Sequence, residues 1–236
     1  MDLSPVADEI VGWNLNQSNY AMFLDKYWQK KPVFIRSALS EEDCTRLSKD
    51  DLVNLVGQDD VESRLFKRLK EKKWNKSYGP FDAQTIESLP SEKWSILIQE
   101  MDRHLPWVAD LWSKYFNFVP LWRRDDIMFS YSATGGGIGA HVDNYDVFLV
   151  QGSGEKEWAI ENSFVSHAEE LRREVPNVQT RLLSNFKADQ KWTLRPGDML
   201  YLPPRVPHRG AFFNDYMFHI MYCHNILFLY IYLFIF

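Results

Sequence analysis

The sequence predicts an α+β chain, with a mostly helical region over residues 1–115 followed by an antiparallel β-sandwich or barrel over residues 116–222. Three observations carry this. Helix-like apolar spacing dominates the first part. After Pro120 the text turns into short aromatic and β-branched runs broken by Gly or Pro, as all-β sandwiches and barrels read. No repeat or low-complexity linker divides the two.

In order, "NYAMFLDKYWQKKPVFIR" predicts a short amphipathic helix, a turn at Lys31-Pro32 and a strand. "SEEDCTRLSKDDLVNLVG" predicts a helix, with acids near its start and Gly57 at its end, where helices prefer them. "LPSEKWSILIQEMDRHLPWVADLWSKYF" places Trp94, Ile98, Met101 and Leu105 at helical spacing, so it predicts a packed helix face. "DIMFSYSA", "DVFLVQGSG", "KEWAIE", "KWTLRPGDMLYLPP" and "HRGAFF" predict strands, and "NDYMFHI" is a candidate for the last one.

The length of 236 residues suits one large domain or a domain with an appendage. Nine Trp and sixteen Phe imply an aromatic-rich core. A net charge of −5 argues against a general nucleic-acid binder. Cys44 and Cys223 lack zinc-like spacing, so a reducing compartment is expected. The early acids of "MDLSPVADEIVGWNLNQ" predict neither a signal nor a transit peptide. The expected location is the cytoplasm, with an organelle as the alternative.

The chain ends in "ILFLYIYLFIF", eleven apolar residues from Ile226. A membrane-spanning helix needs about 20, and extension back to Tyr216 takes in His219, His224 and Asn225. A membrane role is therefore not expected. Residues 223–236 read first as a truncated chain end, with a tail anchor or a last barrel element as the alternatives.

The chemical signal lies in "GGGIGAHVDNYDVFLVQGSGEKEW", Gly135 to Trp158. On a strand, residues two apart face the same side, so His141 and Asp143 would point together into a barrel. His208, after the rigid "RPGDMLYLPPRVPH", offers a third donor. Two His and one carboxylate form the set that binds non-haem Fe(II) and leaves positions open for reactants. Each residue also has a bland reading: His208 as a loop residue near proline, and Asp143 as a turn former before Asn-Tyr. Lys156, between Glu155 and Glu157, suits a solvated hairpin as well as a buried cation for a carboxylate ligand.

The same stretch, with "LRPGDMLYLPPRVPHRG", resembles the JmjC/cupin-type ribosomal oxygenases, in particular the bacterial type that hydroxylates an arginine of a large-subunit ribosomal protein. "YWQKKPVFIRSA", "DVESRLF", "GPF", "WSILIQEMDRHLPWVADLW" and "PLWRRDDIMFSYSATGGG" are similar to that family in the same order, over roughly residues 18 to 217. The resemblance implies a double-stranded β-helix (jelly-roll/cupin, JmjC type), Fe(II) at His141, Asp143 and His208, and 2-oxoglutarate as cosubstrate. It also implies a distal-carboxylate contact from Lys156, where the bacterial members tend to have Arg and the eukaryotic relatives Lys. Ser132 falls at a polar pocket position. The implied reaction hydroxylates a C–H bond while 2-oxoglutarate is decarboxylated to succinate. A guanidinium substrate would want acidic and aromatic neighbours, for which Asp125, Asp126, Tyr131 and Tyr145 are the candidates. Beyond about Tyr222 the resemblance ends. The family's dimerisation and C-terminal regions are not seen, so a monomer is expected. The expected partner is a ribosomal protein, without direct contact to nucleic acid. A histidine target and an inactive or weakly active cupin-fold binding protein remain the alternatives.

Overall fold

The structure is a computed structural model that describes residues 6–13, 19–70, 73–176, 181–212 and 217–224. The chain opens with β1 (Asp8–Val11), α1 (Tyr20–Lys26) and β2 (Val33–Arg36). Val33, Phe34 and Ile35 are all buried, as expected of a continuous apolar run covered on both faces. The single helix expected around residues 40–57 is two, α2 (Glu41–Cys44) and α3 (Lys49–Val56). Ser48 makes the break. Its hydroxyl accepts the Asp51 N–H while the Asp51 carboxylate accepts the Ser48 N–H, a capping box that starts a new helix.

Next come β3 (Ser63–Lys70), β4 (Lys73–Tyr78), α4 (Ala83–Glu87), β5 (Trp94–Ile98), α5 (Met101–His104) and α6 (Pro106–Tyr115). The expectation of a mostly helical residues 1–115 is thus corrected, because five strands arise there. Trp94 and Ile98 belong to a strand rather than a helix face. A spacing of four fits both a helical turn and an even number of strand steps, and β5 is buried at every position, so pairing on both sides decides it.

The remainder is β6 (Arg124–Ser132), β7 (Asp146–Gln151), β8 (Lys156–Ile160), α7 (His167–Arg173), β9 (Gln190–Leu194), β10 (Met199–Leu202), β11 (His208–Phe212) and β12 (Met217–His224). A nine-stranded sheet runs β1-β2-β10-β7-β12-β6-β5-β3-β4, and a three-stranded sheet runs β11-β8-β9. The two enclose a double-stranded β-helix. Residues 1–115 are not a separate layer, since β2 pairs with β10 and β5 with β6. At the other boundary β12 passes residue 222 and pairs through His224 with Asp146. The rest of the apolar tail, residues 225–236, lies outside the described residues. Among those described, no helix is long and apolar enough to cross a membrane.

Strand alternation creates two cores. Phe148, Val150, Met199 and Tyr201 pack under the N-terminal helices, while Val147, Leu149, Leu200 and Leu202 pack between the sheets.

Asp43 ties α2 to α6. It is buried and accepts hydrogen bonds from Ser40 Oγ (2.7 Å), Tyr115 Oη (2.6 Å), Arg46 Nη2 (2.9 Å) and Lys114 Nζ (2.5 Å). Burial alone would raise its pKa, but the bonds from Lys114, Tyr115 and Ser40 outweigh it and bring it from 3.8 down to about 2. A carboxyl depressed on folding stabilises above its unfolded pKa and loses that contribution as pH falls through the folded value. Lys114 and Arg46 are about half exposed, so water screens part of the gain. Asp43→Asn is expected to cost about 1–2 kcal/mol at neutral pH and to flatten the acid limb between 3.8 and about 2. Urea melts across that range check it; an unchanged acid limb contradicts the assignment.

Candidate metal centre

Pro203-Pro204 end β10, and the chain returns as β11 with His208 as its first residue. His141 does not lie in a regular strand. It forms one isolated antiparallel bridge with His208, each N–H donating to the other's carbonyl at 3.0 and 2.9 Å. The expectation that His141 and Asp143 share a strand face is corrected to this one bridge followed by an irregular turn. The side chains still converge, with His141 Nε2 at 3.8 Å and His208 Nε2 at 3.4 Å from the Asp143 oxygens. All three ligand atoms lie within 4.8 Å of one another.

Both imidazoles are fixed from behind. Nδ1 of His141 is 3.1 Å from the Gly139 carbonyl, and Nδ1 of His208 is 3.0 Å from that of Val206. Nδ1–H donation to these carbonyls assigns the tautomer and leaves each Nε2 with a lone pair toward the centre. Burial, and then His208, push His141 down to about 4, so it is neutral at pH 7. Burial tends to raise Asp143, but His141, His208 and the Tyr145 hydroxyl prevail and hold it below the usual carboxylate value. Asp143 Oδ2 and His208 Nε2 are buried without a hydrogen-bond partner among the described residues. Two imidazoles, one carboxylate and orphaned donor atoms fit a divalent metal.

Arg205 holds the Asp143 loop. Its backbone takes a left-handed φ of 73° and donates N–H to the Asp143 carbonyl at 2.8 Å. Its guanidinium donates to Asn144 Oδ1 (2.7 Å), Glu170 Oε2 (2.8 Å) and the Val165 carbonyl (2.7 Å). Nothing in the sequence signals this role, because it depends on α7 packing nearby.

Lys156 opens β8 and is 5% exposed, so it does not lie on a solvated hairpin. Its Nζ sits 4.2 Å from the Trp158 ring centroid, and burial drives its pKa well down. Diagonally across the strand pair, a Cβ on Gly210 would stand 2.5 Å from Lys156 Cε and 2.9 Å from the Trp158 ring, so glycine leaves the stem the room that a side chain would take. Lys156, Trp158 and Gly210 line a narrow cleft with Ser95, Ser130 and His141. Ser132 is fully buried behind that wall, donating to Ser95 Oγ at 2.7 Å. Sequence reasoning missed Ser95, Ser130, Trp158 and Gly210. Ser130 was within reach, since it lies two residues from Ser132 on the same strand face.

Asp125, Asp126 and Tyr145 line a second cavity of about 200 Å³ that reaches His141 and Asp143. Burial, with Asp125 and Asp102 adding to it, raises Asp126 to about 6. Tyr131 is corrected as a member of this group. It is buried in the helix-side core, edge-on to Trp94 at 5.5 Å. The reason is parity: Ser130 and Ser132 face the barrel, so Tyr131 between them faces away.

A double-stranded β-helix with two His and one Asp converging inside it defines a cupin-type scaffold with a non-haem iron donor set. Comparison with known proteins narrows this. Residues 111–223 match the JmjC domain. A Haemophilus influenzae protein named "Probable ribosomal oxygenase" is 38% identical over 197 residues, covering 82% of this chain and 46% of that protein. The Escherichia coli ribosomal protein uL16 3-hydroxylase is 35% identical over 193 residues, covering 81% and 49%. The X-ray structure of E. coli YcfD superposes with a TM-score of 0.73 at 32% identity, covering 88% of this chain and 53% of that one. YcfD with cobalt and 2-oxoglutarate gives 0.70 at 31%, covering 90% and 53%. Residues 111–223 thus carry a JmjC domain, and the chain as a whole is similar to the ribosomal oxygenases. It spans about half the length of the curated relatives it matches.

Proposed function

We propose that this protein is an Fe(II)- and 2-oxoglutarate-dependent hydroxylase of a ribosomal protein, acting at an arginine. The observation that carries this is the convergence of His141, Asp143 and His208, with two donor atoms left unpartnered among the described residues, beside a cleft that ends on buried Lys156. The names of the relatives and the cobalt and 2-oxoglutarate complex of YcfD support it. Bound together, Fe(II), 2-oxoglutarate and dioxygen supply the oxidising power for inserting oxygen into a C–H bond. The chain does the rest. Backbone carbonyls aim both imidazoles, Arg205 holds the Asp143 loop, and Lys156 offers a cation to a carboxylate in the narrow cleft. Asp125 and Asp126 supply an acidic wall for a guanidinium, with Tyr145 beside it, which favours arginine over histidine.

The test is to load the chain with Fe(II) without oxygen, add ribosomal-protein peptides carrying either Arg or His, and admit oxygen. Succinate release with a gain of one oxygen atom on the arginine peptide is expected. Stoichiometric iron binding with no succinate on any peptide overturns the enzyme reading, and a gain on the histidine peptide alone overturns the target.

A further inference from the structure

Two strands stand apart by charge. β3 and β4 carry Arg64, Lys67, Arg68, Lys70, Lys73 and Lys76 and no Asp or Glu, in a chain of net charge −5. They lie at one end of the large sheet, and β4 is its edge. Their register pairs Arg64 with Tyr78, Phe66 with Lys76 and Arg68 with Trp74. Alternate residues share a face, so these three pairs lie on one face, and each joins a cation to an aromatic ring. Lys76 Nζ sits 4.7 Å from the Tyr78 ring centroid and 5.7 Å from that of Phe66. Phe66 is buried and floors the patch, while Tyr78 is 63% exposed and Arg68 stands in solvent. Trp74 is partly buried, and its Nε1 has no hydrogen-bond partner among the described residues.

This face adjoins the metal centre. Arg64 and Phe66 border the cavity that reaches His141 and Asp143. Arg68 and Trp74 border a neighbouring cavity of about 220 Å³, walled by the Gly135–Gly137 turn, Gly139 and Arg209.

We propose that this face of the β3–β4 hairpin docks single-stranded RNA beside the mouth of the metal centre. Interleaved cations and flat rings are what an unpaired strand requires, with phosphates neutralised by Lys and Arg and bases stacked on aromatic faces. An acidic peptide would satisfy the cations but leave the rings of Trp74 and Tyr78 without bases to stack. A basic peptide segment would find its counter-charge at Asp125 and Asp126 in the cavity that reaches His141 and Asp143, not on the cations of the hairpin. The net negative charge of the chain, which argues against nucleic-acid contact, averages over the surface and hides a local face of opposite sign. The inference does not rest on the hydroxylase reading: RNA binding without turnover would remove that reading and leave this one.

The test uses the full chain and a short fluorescent oligouridine, with anisotropy followed over a potassium chloride series. Binding that weakens with salt is expected. Tyr78→Ala and Trp74→Ala should each weaken it by about tenfold with an unchanged salt slope. Arg68→Glu and Lys76→Glu should weaken it and flatten the log–log salt slope by about 0.7 for each phosphate no longer neutralised. Unchanged cobalt(II) affinity of each variant verifies its fold. If Trp74→Ala or Lys76→Glu fails that check, the exposed Tyr78 and Arg68 variants decide. No binding at low salt, or binding indifferent to Tyr78→Ala and Arg68→Glu, overturns the proposal. So does competition by polyglutamate as strong as that by unlabelled oligouridine, which would mark a cationic surface without base stacking.

Discussion

Asp143→Ala is expected to lose cobalt(II) and iron(II) binding while its metal-free melting temperature stays close to that of the parent chain. Both halves follow from the geometry. Asp143 supplies the one anionic donor among three, between two imidazoles whose Nε2 atoms already face it. Its loss should exceed the ~10–100-fold that removal of a supporting residue behind a ligand costs. The fold does not depend on it in the same way. Asp143 Oδ2 has no hydrogen-bond partner among the described residues, and burial opposes its charge, so alanine removes a desolvation cost together with the attraction to the two imidazoles. The backbone tie from Arg205 N to the Asp143 carbonyl survives the substitution. The measurement is thermal unfolding with and without cobalt(II). A ligand that binds only the folded state stabilises by about 2.7 kcal/mol at a hundred times its dissociation constant. The parent should show such a shift and the variant none. A variant that keeps the shift would place the metal elsewhere, and one that melts far below the parent without metal would make Asp143 a structural residue.

The donor set was legible because His141 and Asp143 stand two residues apart beside strong strand signals, and His208 follows a proline-rich turn. The reason for their convergence was not, since His141 meets His208 through a single bridge rather than along a strand. The strands after residue 120 were legible because Gly and Pro punctuate them. β3 and β4 were not, because lysine-rich text is a poor strand signal; pairing of β3 with β5, and of β4 with β3, makes them strands. Tyr131 shows the reverse failure: its residue type suited a substrate pocket, but the alternation set by its serine neighbours turns it outward. Lys156 was ambiguous for a further reason. Its burial depends on β11 pairing with β8 so that Gly210, opposite Trp158, stands diagonally beside it, a meeting of residues 54 apart that no local pattern encodes.

That meeting gives the second large effect. Lys156→Met keeps the length of the side chain and removes its charge. 2-Oxoglutarate affinity, measured by calorimetry on the cobalt(II) form, is expected to fall by about 100-fold or more, since removing one partner of a buried charge pair costs about 2–5 kcal/mol. Cobalt(II) affinity itself should hold, because Lys156 donates nothing to the metal. Metal-free stability should rise modestly. Burial alone drives the Lys156 pKa down, so the folded state bears a cost for the charged form that methionine escapes. Lys156→Arg separates charge from shape. The Trp158 ring lies against the ammonium and Gly210 leaves room for the slim stem alone, so the planar fork cannot take the ammonium's place without moving β11. Arginine should therefore restore only part of the affinity although it restores all of the charge. Full affinity in Lys156→Met would remove Lys156 from the cosubstrate site. Full affinity in Lys156→Arg would instead show that charge alone, and not the space left by Gly210, sets recognition of the carboxylate.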